Sequence, residues 1–232
     1  GATSTAKAQV NSVDTSKIII KPNVYSWRNI AVGNMFKNSY DYKRDLDSHM
    51  MKNTEWGSVA YLQHSKYGSQ VSVRINNNSS YITGYTTNNY TGIYDMSGGA
   101  WEYVMGYTTG ATTVGGTSGI TNLYSNFFSD SAYSKYWDRY TLTAETNYNN
   151  RILGDATGEM GPFGSEKDPD GGTRNKSSWY KDYAYLVSSS TPWFARGGAW
   201  VNGIISGAFS TGFGPGYISD DKVFRIVLTP TK

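Results

Sequence analysis

The amino-acid sequence predicts an α+β fold: one domain over residues 16–232, with short strands, two or so helices and long loops. Three observations carry this reading. The stretch "NTEWGSVAYLQHSKYG" (53–68) has helical character between a capping residue and a glycine. Several short β-branched and aromatic runs are set apart by segments rich in Gly, Ser, Thr and Asn, the pattern of brief strands between loops. Aromatic residues make up 15% of the chain, with 20 Tyr and 7 Trp, against only 17% charged residues. That is enough ring surface to pack irregular structure and too little charge for disorder. The 232 residues suffice to bury a core without disulfide or metal staples.

The elements follow in order. Residues 1–15 are small and polar and read as a linker or arm. "KIIIKPNVYSW" (17–27) predicts a first strand at 17–20, stopped by Pro22. "NMFKNSYDYKRDLDSHMMKN" (34–53) predicts a short helix near 42–50. In the 53–68 helix, Asn53 or Thr54 serves as cap and Glu55 suits the first turn. Trp56, Val59, Ala60 and Leu62 gather toward one side, and Gly68 ends the helix. Residues 70–92 read as a surface loop with one strand at its start. "IYDMSGGAWEYVMGYT" (93–108) places a turn at Ser97-Gly98-Gly99 before a strand. A long loop over 109–135 precedes a strand in "YWDRYTL" (136–142). "NYNNRILGDATGEM" carries a helical turn, and 164–178 is a polar loop. "WFARGGAW" (193–200) and "KVFRIVL" (222–228) are the last two strands. Residues 199–222 between them show neither helical nor strand periodicity, and no internal repeat or heptad is present.

Composition excludes several functions. The net charge is +3 without a dense Lys/Arg run, which argues against nucleic acid as partner. The absence of cysteine rules out disulfides, thiolate metal sites and cysteine catalysis. No apolar run approaches the roughly 18 residues of a membrane span, so this segment does not insert into a membrane. "GATSTAKAQV" has no signal-peptide pattern and reads as a boundary, with any anchor lying upstream. His49 and His64 are 15 residues apart without ligand-spaced carboxylates, and both read as helix-surface residues. Asp168 and Asp170 in "DPDGG" read as a solvated turn, because the other ligands of a calcium loop are missing. There is no G-x-S-x-G elbow and no P-loop, and no two of the acidic residues stand out as a glycosidase pair. The sequons at Asn77, Asn78, Asn89 and Asn175 are what an Asn-rich chain produces by chance.

Three segments together carry a resemblance. "NTEWGSVAYLQHSKYG" resembles the helix of formylglycine-generating-enzyme-type domains, in which Thr, Glu and Trp open the helix. "GIYDMSGGAWEYV" resembles that family's "L-Y-D-M-x-G-N-V-W-E-W" turn and strand. "WFARGGAW…VFRIVL" resembles its "R-G-G-S-W…G-F-R" ending. The three fall in the family's order over about residues 53–228. The resemblance implies a C-type-lectin-like fold: a small twisted antiparallel sheet, two main helices and long irregular loops. The departures bear on function. The family's enzymes use cysteines near the C-terminus for copper-dependent oxidation, and this chain has none. Gly99 stands where the family has an Asn beside a calcium ion, so no metal and no cofactor are assigned.

The chain is most similar to the variable ligand-binding proteins of diversity-generating retroelements, found on gut bacteria and prophages. In these the variable residues lie between "R-G-G" and the final strand, where this chain has its unpatterned segment. The resemblance implies a non-enzymatic binding domain of a bacterial surface protein or phage particle. Its expected binding face comprises Ala199, Val201, Asn202, Ile204, Ile205, Ser210, Gly212, Phe213, Tyr217, Ser219, Asp220 and Lys222. The frame beneath would use Arg196 and Arg225, bonding loop carbonyls from buried positions. Gly197, Gly198, Gly203 and Gly207 would provide tight turns or close approaches, and Phe209, Phe224, Ile226 and Leu228 would fill the core. A protein ligand is expected rather than a carbohydrate, because neither E-P-N nor Q-P-D is present and Phe213 and Tyr217 suit a protein contact. Two alternatives remain: a metal-dependent oxidoreductase-like enzyme of the same fold, or a structural tip domain without its own ligand.

Overall fold

The computed structural model describes residues 11–20, 24–63, 65–68, 75–76, 93–109, 126–141, 152–157, 182–185 and 187–230. Among these residues two helices, α1 (Val32–Tyr42) and α2 (Asn53–Gln63), accompany seven short strands. These are β1 (His49–Met50), β2 (Trp101–Thr109), β3 (Asp138–Thr141), β4 (Trp193–Arg196), β5 (Thr211–Gly214), β6 (Lys222–Phe224) and β7 (Ile226–Val227). β2 is the spine. β4 pairs with it antiparallel and β5 extends the sheet beyond β4, also antiparallel. β6 runs parallel to β2 at Trp101–Tyr103, and β3 runs parallel to it at Gly106–Thr109. The five-stranded sheet is therefore mixed, a correction to the antiparallel sheet expected. β1 and β7 form a separate antiparallel pair.

Strand alternation gives the sheet two apolar faces. Trp101, Tyr103, Met105 and Tyr107 of β2 pack in one cluster with Trp193 and with Met35 and Phe36 of α1. Val104 of β2 and Phe194 of β4 pack in a second cluster with Trp56 and Ala60 of α2. The two helices thus cover the two faces of one sheet.

Both helices are capped from far along the chain. No side chain of the Ala31 cap bonds α1. Instead Asn11 Oδ1, from the N-terminal arm, accepts the Ala31 amide (2.9 Å) and the Asn34 side-chain amide (2.8 Å). The arm is further tied to α1 by Asn38, which accepts from the Asp14 amide and donates to the Ser12 carbonyl. In α2, Asp138 of β3 accepts the Thr54 amide at 2.7 Å, and Glu55 accepts the Lys52 amide at 2.8 Å. The expected Asn53 or Thr54 cap is replaced by a carboxylate 84 residues away. Asn53 instead donates to the Tyr140 hydroxyl.

Other expectations are corrected. Residues 17–20 are not a strand: a 3-10 turn spans Thr15–Lys17 and the three isoleucines follow unpaired to any sheet. The helix expected near 42–50 lies earlier, at 32–42, where Met35 and Phe36 find the core. A 3-10 turn at Arg44–Leu46, Asp47 in the left-handed conformation (φ 49°) and β1 follow it. α2 stops at Gln63, five residues before Gly68, and Leu62 is exposed while Trp56 and Ala60 are buried. The Ser97–Gly99 turn into β2 is present, with φ of 78° and 70° at Gly98 and Gly99. Residues 152–157 do carry a single turn, closed by the Asp155 amide on the Ile152 carbonyl at 3.1 Å. The final strand is two strands, because Arg225 breaks it: β6 joins β2 and β7 joins β1. The strand expected near 70, the 164–178 loop, Asp168, Asp170, His64 and the four sequons lie outside the described residues.

Trp101 opens β2 and is buried. Its ring meets Tyr183 edge-on at 5.6 Å and fills the space beside Gly212. Trp101→Ala is expected to cost about 3–5 kcal/mol, measured by denaturant unfolding against the parent chain.

Candidate functional site

The C-terminal segment starts from a buried charge. Arg196, at the end of β4, is fully excluded from solvent. Its Nη1 donates to Thr211 Oγ1 (2.7 Å), its Nη2 to the Ala156 carbonyl (3.4 Å), and the guanidinium lies 6.0 Å from the Trp56 ring centroid. Burial pulls its pKa down to about 10, against the opposing charges of Asp155, Tyr140 and Asp182. The chain then turns through Gly197 and Gly198, at φ of 87° and 76°.

A short 3-10 segment, Trp200–Ile205, follows and is kinked at Gly203 (φ 54°, ψ −130°). Its backbone is fixed at both ends: Trp200 N–H donates to the Gly99 carbonyl (2.9 Å) and Tyr183 N–H donates to the Ile205 carbonyl (2.7 Å). Asn202 Oδ1 accepts the Ala199 amide at 2.8 Å. Residues 206–210 then dive into the core. Phe209 is buried, and the Ala208 carbonyl accepts from Trp56 Nε1 at 2.7 Å. The buried Asp182 carboxylate accepts the Phe209 amide at 3.1 Å and lies so close to Gly207 that a Cβ there would come within 1.9 Å of it. Burial pushes the Asp182 pKa up to about 6, with the Phe209 amide and the Arg196 charge pulling the other way.

The structure places the expected face residues in three groups. Val201, Ile204 and Tyr217 are exposed, at 64%, 85% and 52%, and Asp220 is exposed as well. Ile205, Asn202, Phe213 and Ser219 are half-buried. Phe213 packs its ring 4.8 Å from Tyr185, Asn202 is engaged as a cap, and Ser219 donates to the Asp221 carboxylate. Ala199, Ser210 and Gly212 are buried and do not belong to an exposed face. Ala199 joins the core beside Trp101, Ser210 Oγ bonds the Ile205 carbonyl, and Gly212 lies beneath the Trp101 ring. Lys222 is also largely covered: Nζ pairs with Asp221 at 2.7 Å and sits over the Trp101 ring at 5.8 Å. The segment is not wholly unpatterned either, since 211–214 is strand β5.

Sequence reasoning missed Ile218, which is 55% exposed next to Tyr217. The signal was present: two large side chains follow Pro215-Gly216, a turn that leaves its successors outside the core. The backbone of the loop carrying them is held by residues 28–32, which lead into α1. Val32 N–H donates to the Gly216 carbonyl, Asn29 N–H to the Ser219 carbonyl, and Arg28 Nη1 to the Asp220 carbonyl.

The frame residues fare as follows. Arg225 is held by an acidic side chain more than by loop carbonyls: Nε donates to Glu102 Oε2 at 2.9 Å and Nη2 to Glu102 Oε1, with a longer bond to the Asp95 carbonyl. Phe224 and Ile226 are half-buried, and Leu228 is exposed rather than in the core, because the strand ends at Val227. His49 is not on a helix surface but buried in β1. A cavity of about 720 Å³ lies on the Glu102–Arg225 side, lined among others by Ile18, Trp27, Val59, Ile93 and Phe224. None of the expected face residues lines it. Among the described residues no three His, Asp or Glu side chains gather as a metal-ligand group, and no helix is long and apolar enough to cross a membrane. No protein-family model matches the chain, and no curated protein matches it.

Asp182 has a measurable consequence. Its folded pKa, about 6, lies above the ordinary 3.8, so the folded chain binds the proton more tightly than the unfolded one. The contribution of Asp182 to stability is therefore full below pH 3.8 and is lost over the interval in which the pH rises through about 6, by about 3 kcal/mol in all. Asp182→Asn is expected to remove that slope in denaturant unfolding measured across the same interval.

Proposed function

We propose that this chain is a non-enzymatic ligand-binding domain whose face is formed by the 3-10 segment at 200–205 and the loop at 216–220. The observation that carries the proposal is a division of labour. Val201, Ile204, Tyr217 and Ile218 are large apolar side chains left in solvent. The backbone that bears them is fixed by groups that do not involve those side chains. Exposed aliphatic and aromatic groups on a held backbone are what a protein partner's apolar surface engages, with little ordering cost on binding. The reading takes the fold as C-type-lectin-like, of the formylglycine-generating-enzyme subtype. Support for this comes from the Ser97–Gly99 turn entering β2, the buried Arg196 closing β4, and the two helices flanking one small sheet.

The same reading places the domain on a bacterial surface or phage particle and takes its face as diversified by a retroelement. A face whose side chains the fold does not use tolerates such replacement. A reverse-transcriptase gene beside this one, with a near-copy of the stretch encoding residues 199–222, is the expected genomic signature; its absence counts against diversification without touching the binding face.

The direct test is binding of the whole chain to arrayed proteins and arrayed glycans, repeated with Ile204→Ser and Tyr217→Ala. Both variants are expected to unfold within about 0.5 kcal/mol of the parent, as exposed positions do. Each is expected to weaken a protein partner by about 1–2 kcal/mol or more. Unfolding of the variants, binding to glycans alone, or a partner indifferent to both substitutions would each sink the proposal.

A further inference from the structure

We propose that His49 is a proton-operated latch: its imidazolium clamps the β1–β7 strand pair to the first turn of α2 and releases it on losing a proton. His49 Nδ1 lies 2.7 Å from the Asp47 carbonyl oxygen and Nε2 lies 2.9 Å from Glu55 Oε1. A backbone carbonyl and a carboxylate both only accept. A neutral imidazole carries one N–H and serves one of them; the doubly protonated ring serves both. The residue is only 5% exposed, so a water molecule does not readily replace the lost partner.

The contacts reach three elements. His49 pairs with Val227, which fastens β1 to β7. Glu55, the acceptor on the other side, uses its second oxygen to take the Lys52 amide at the start of α2. Glu55, Met51 and Val227 also line the 720 Å³ cavity, so loosening the latch acts on its wall. Among the described residues, Asp47, Glu55, Lys135, Lys52 and Asp138 are the charged groups that bear on the ring or on its acceptors. Asp47 is bound by Lys135 Nζ (2.8 Å) and by the Tyr136 hydroxyl (2.6 Å), and the Tyr136 ring stands 5.5 Å from the imidazole. Lys52 and Asp138 bear on Glu55 from the helix start and from β3.

The balance of these groups agrees with the geometry. Burial alone pushes the His49 pKa down, but the Glu55 bond, the Asp47 carbonyl and the two negative charges outweigh it and raise the pKa above 6.5. Burial likewise pushes Glu55 up, and the His49 and Lys52 bonds overcome it and hold the carboxyl below its usual range. The sign follows. A raised histidine stabilises fully below its unfolded pKa, and that contribution is lost as the pH rises through the folded value. The latch is closed in mildly acid solution and opens toward alkaline pH.

The test is an NMR titration of the imidazole C–H signals of the whole chain, with His64→Gln to assign the two histidines, alongside denaturant unfolding at a series of pH values. The His49 midpoint is expected above 6.5, with stability falling as the pH rises through it, and in His49→Gln the fall above pH 6.5 is expected to be absent. Glu55→Gln is expected to lower the midpoint by about one unit or more. A midpoint at or below 6.5, or the parent's slope above pH 6.5 persisting in His49→Gln, overturns the latch. Should His49→Gln fail to fold, the parent's midpoint and its shift in Glu55→Gln decide the matter.

Discussion

A guanidinium stripped of water demands acceptors from the protein, and for Arg196 the C-terminal third of this chain is arranged around supplying them to both Nη atoms, with Nε left without one among the described residues. Its forked donors fix Thr211 on β5 and the Ala156 carbonyl in a distant turn, and its face approaches Trp56 on α2. The buried carboxylates of Asp155 and Asp182 lie in its field. Each is tied to backbone in turn: Asp155 accepts the amides of Ile152 and Thr157, and Asp182 that of Phe209. One buried cation thus sits among two buried carboxylates that hold turns. A buried charge kept this way is weak evidence of net stability and strong evidence of fixed geometry. Arg225 repeats the device with a direct partner, since its bidentate grip on Glu102 joins the end of β6 to the start of β2.

These fixed points leave the exposed side chains without a structural task. The 3-10 segment hangs between backbone bonds to Gly99 and Tyr183, and the 216–220 loop hangs from Asn29 and Val32. Replacing Val201 or Ile204 changes what the surface offers and not what holds it up. This is the physical sense in which a segment can be variable and ordered together.

The legible part of the fold was whatever rests on local pattern. α2, the glycine turn into β2, β3 and β4 follow from periodicity and turn chemistry, and the two arginines follow from their place beside glycines and apolar strands. Whatever is completed from far away was not legible. The α1 helix lacks a capping side chain at Ala31 because Asn11 supplies one, so its start shows no signal of its own. The cap of α2 sits on Asp138. Of the residues expected on the face, Val201, Ile204 and Tyr217 are exposed, and Ala199, Ser210 and Gly212 are buried. Small residues in a loop-like run look exposed, whereas smallness here marks the points where the run passes under larger neighbours.

β5 shows why. "TGFG" reads as loop, because glycine in a strand gives up side-chain contacts and backbone order. In the sheet, however, Tyr103 pairs with Ala195 and Ala195 with Gly212, which sets a large, a small and an absent side chain in one row on one face. The rings of β2 lie over that row. A Cβ on Gly212 would stand 3.0 Å from the Trp101 ring, and one on Gly214 would stand 2.0 Å from the Tyr103 hydroxyl. That hydroxyl in turn accepts the Gly216 amide, which starts the loop bearing Tyr217 and Ile218. The glycines of β5 are therefore the counterpart of the aromatic residues of β2. Two segments a hundred residues apart share one packing pattern, and neither shows it alone. The intrinsic weakness of a glycine strand is offset by rings that reach across β4. The same rings place the edge of the proposed face.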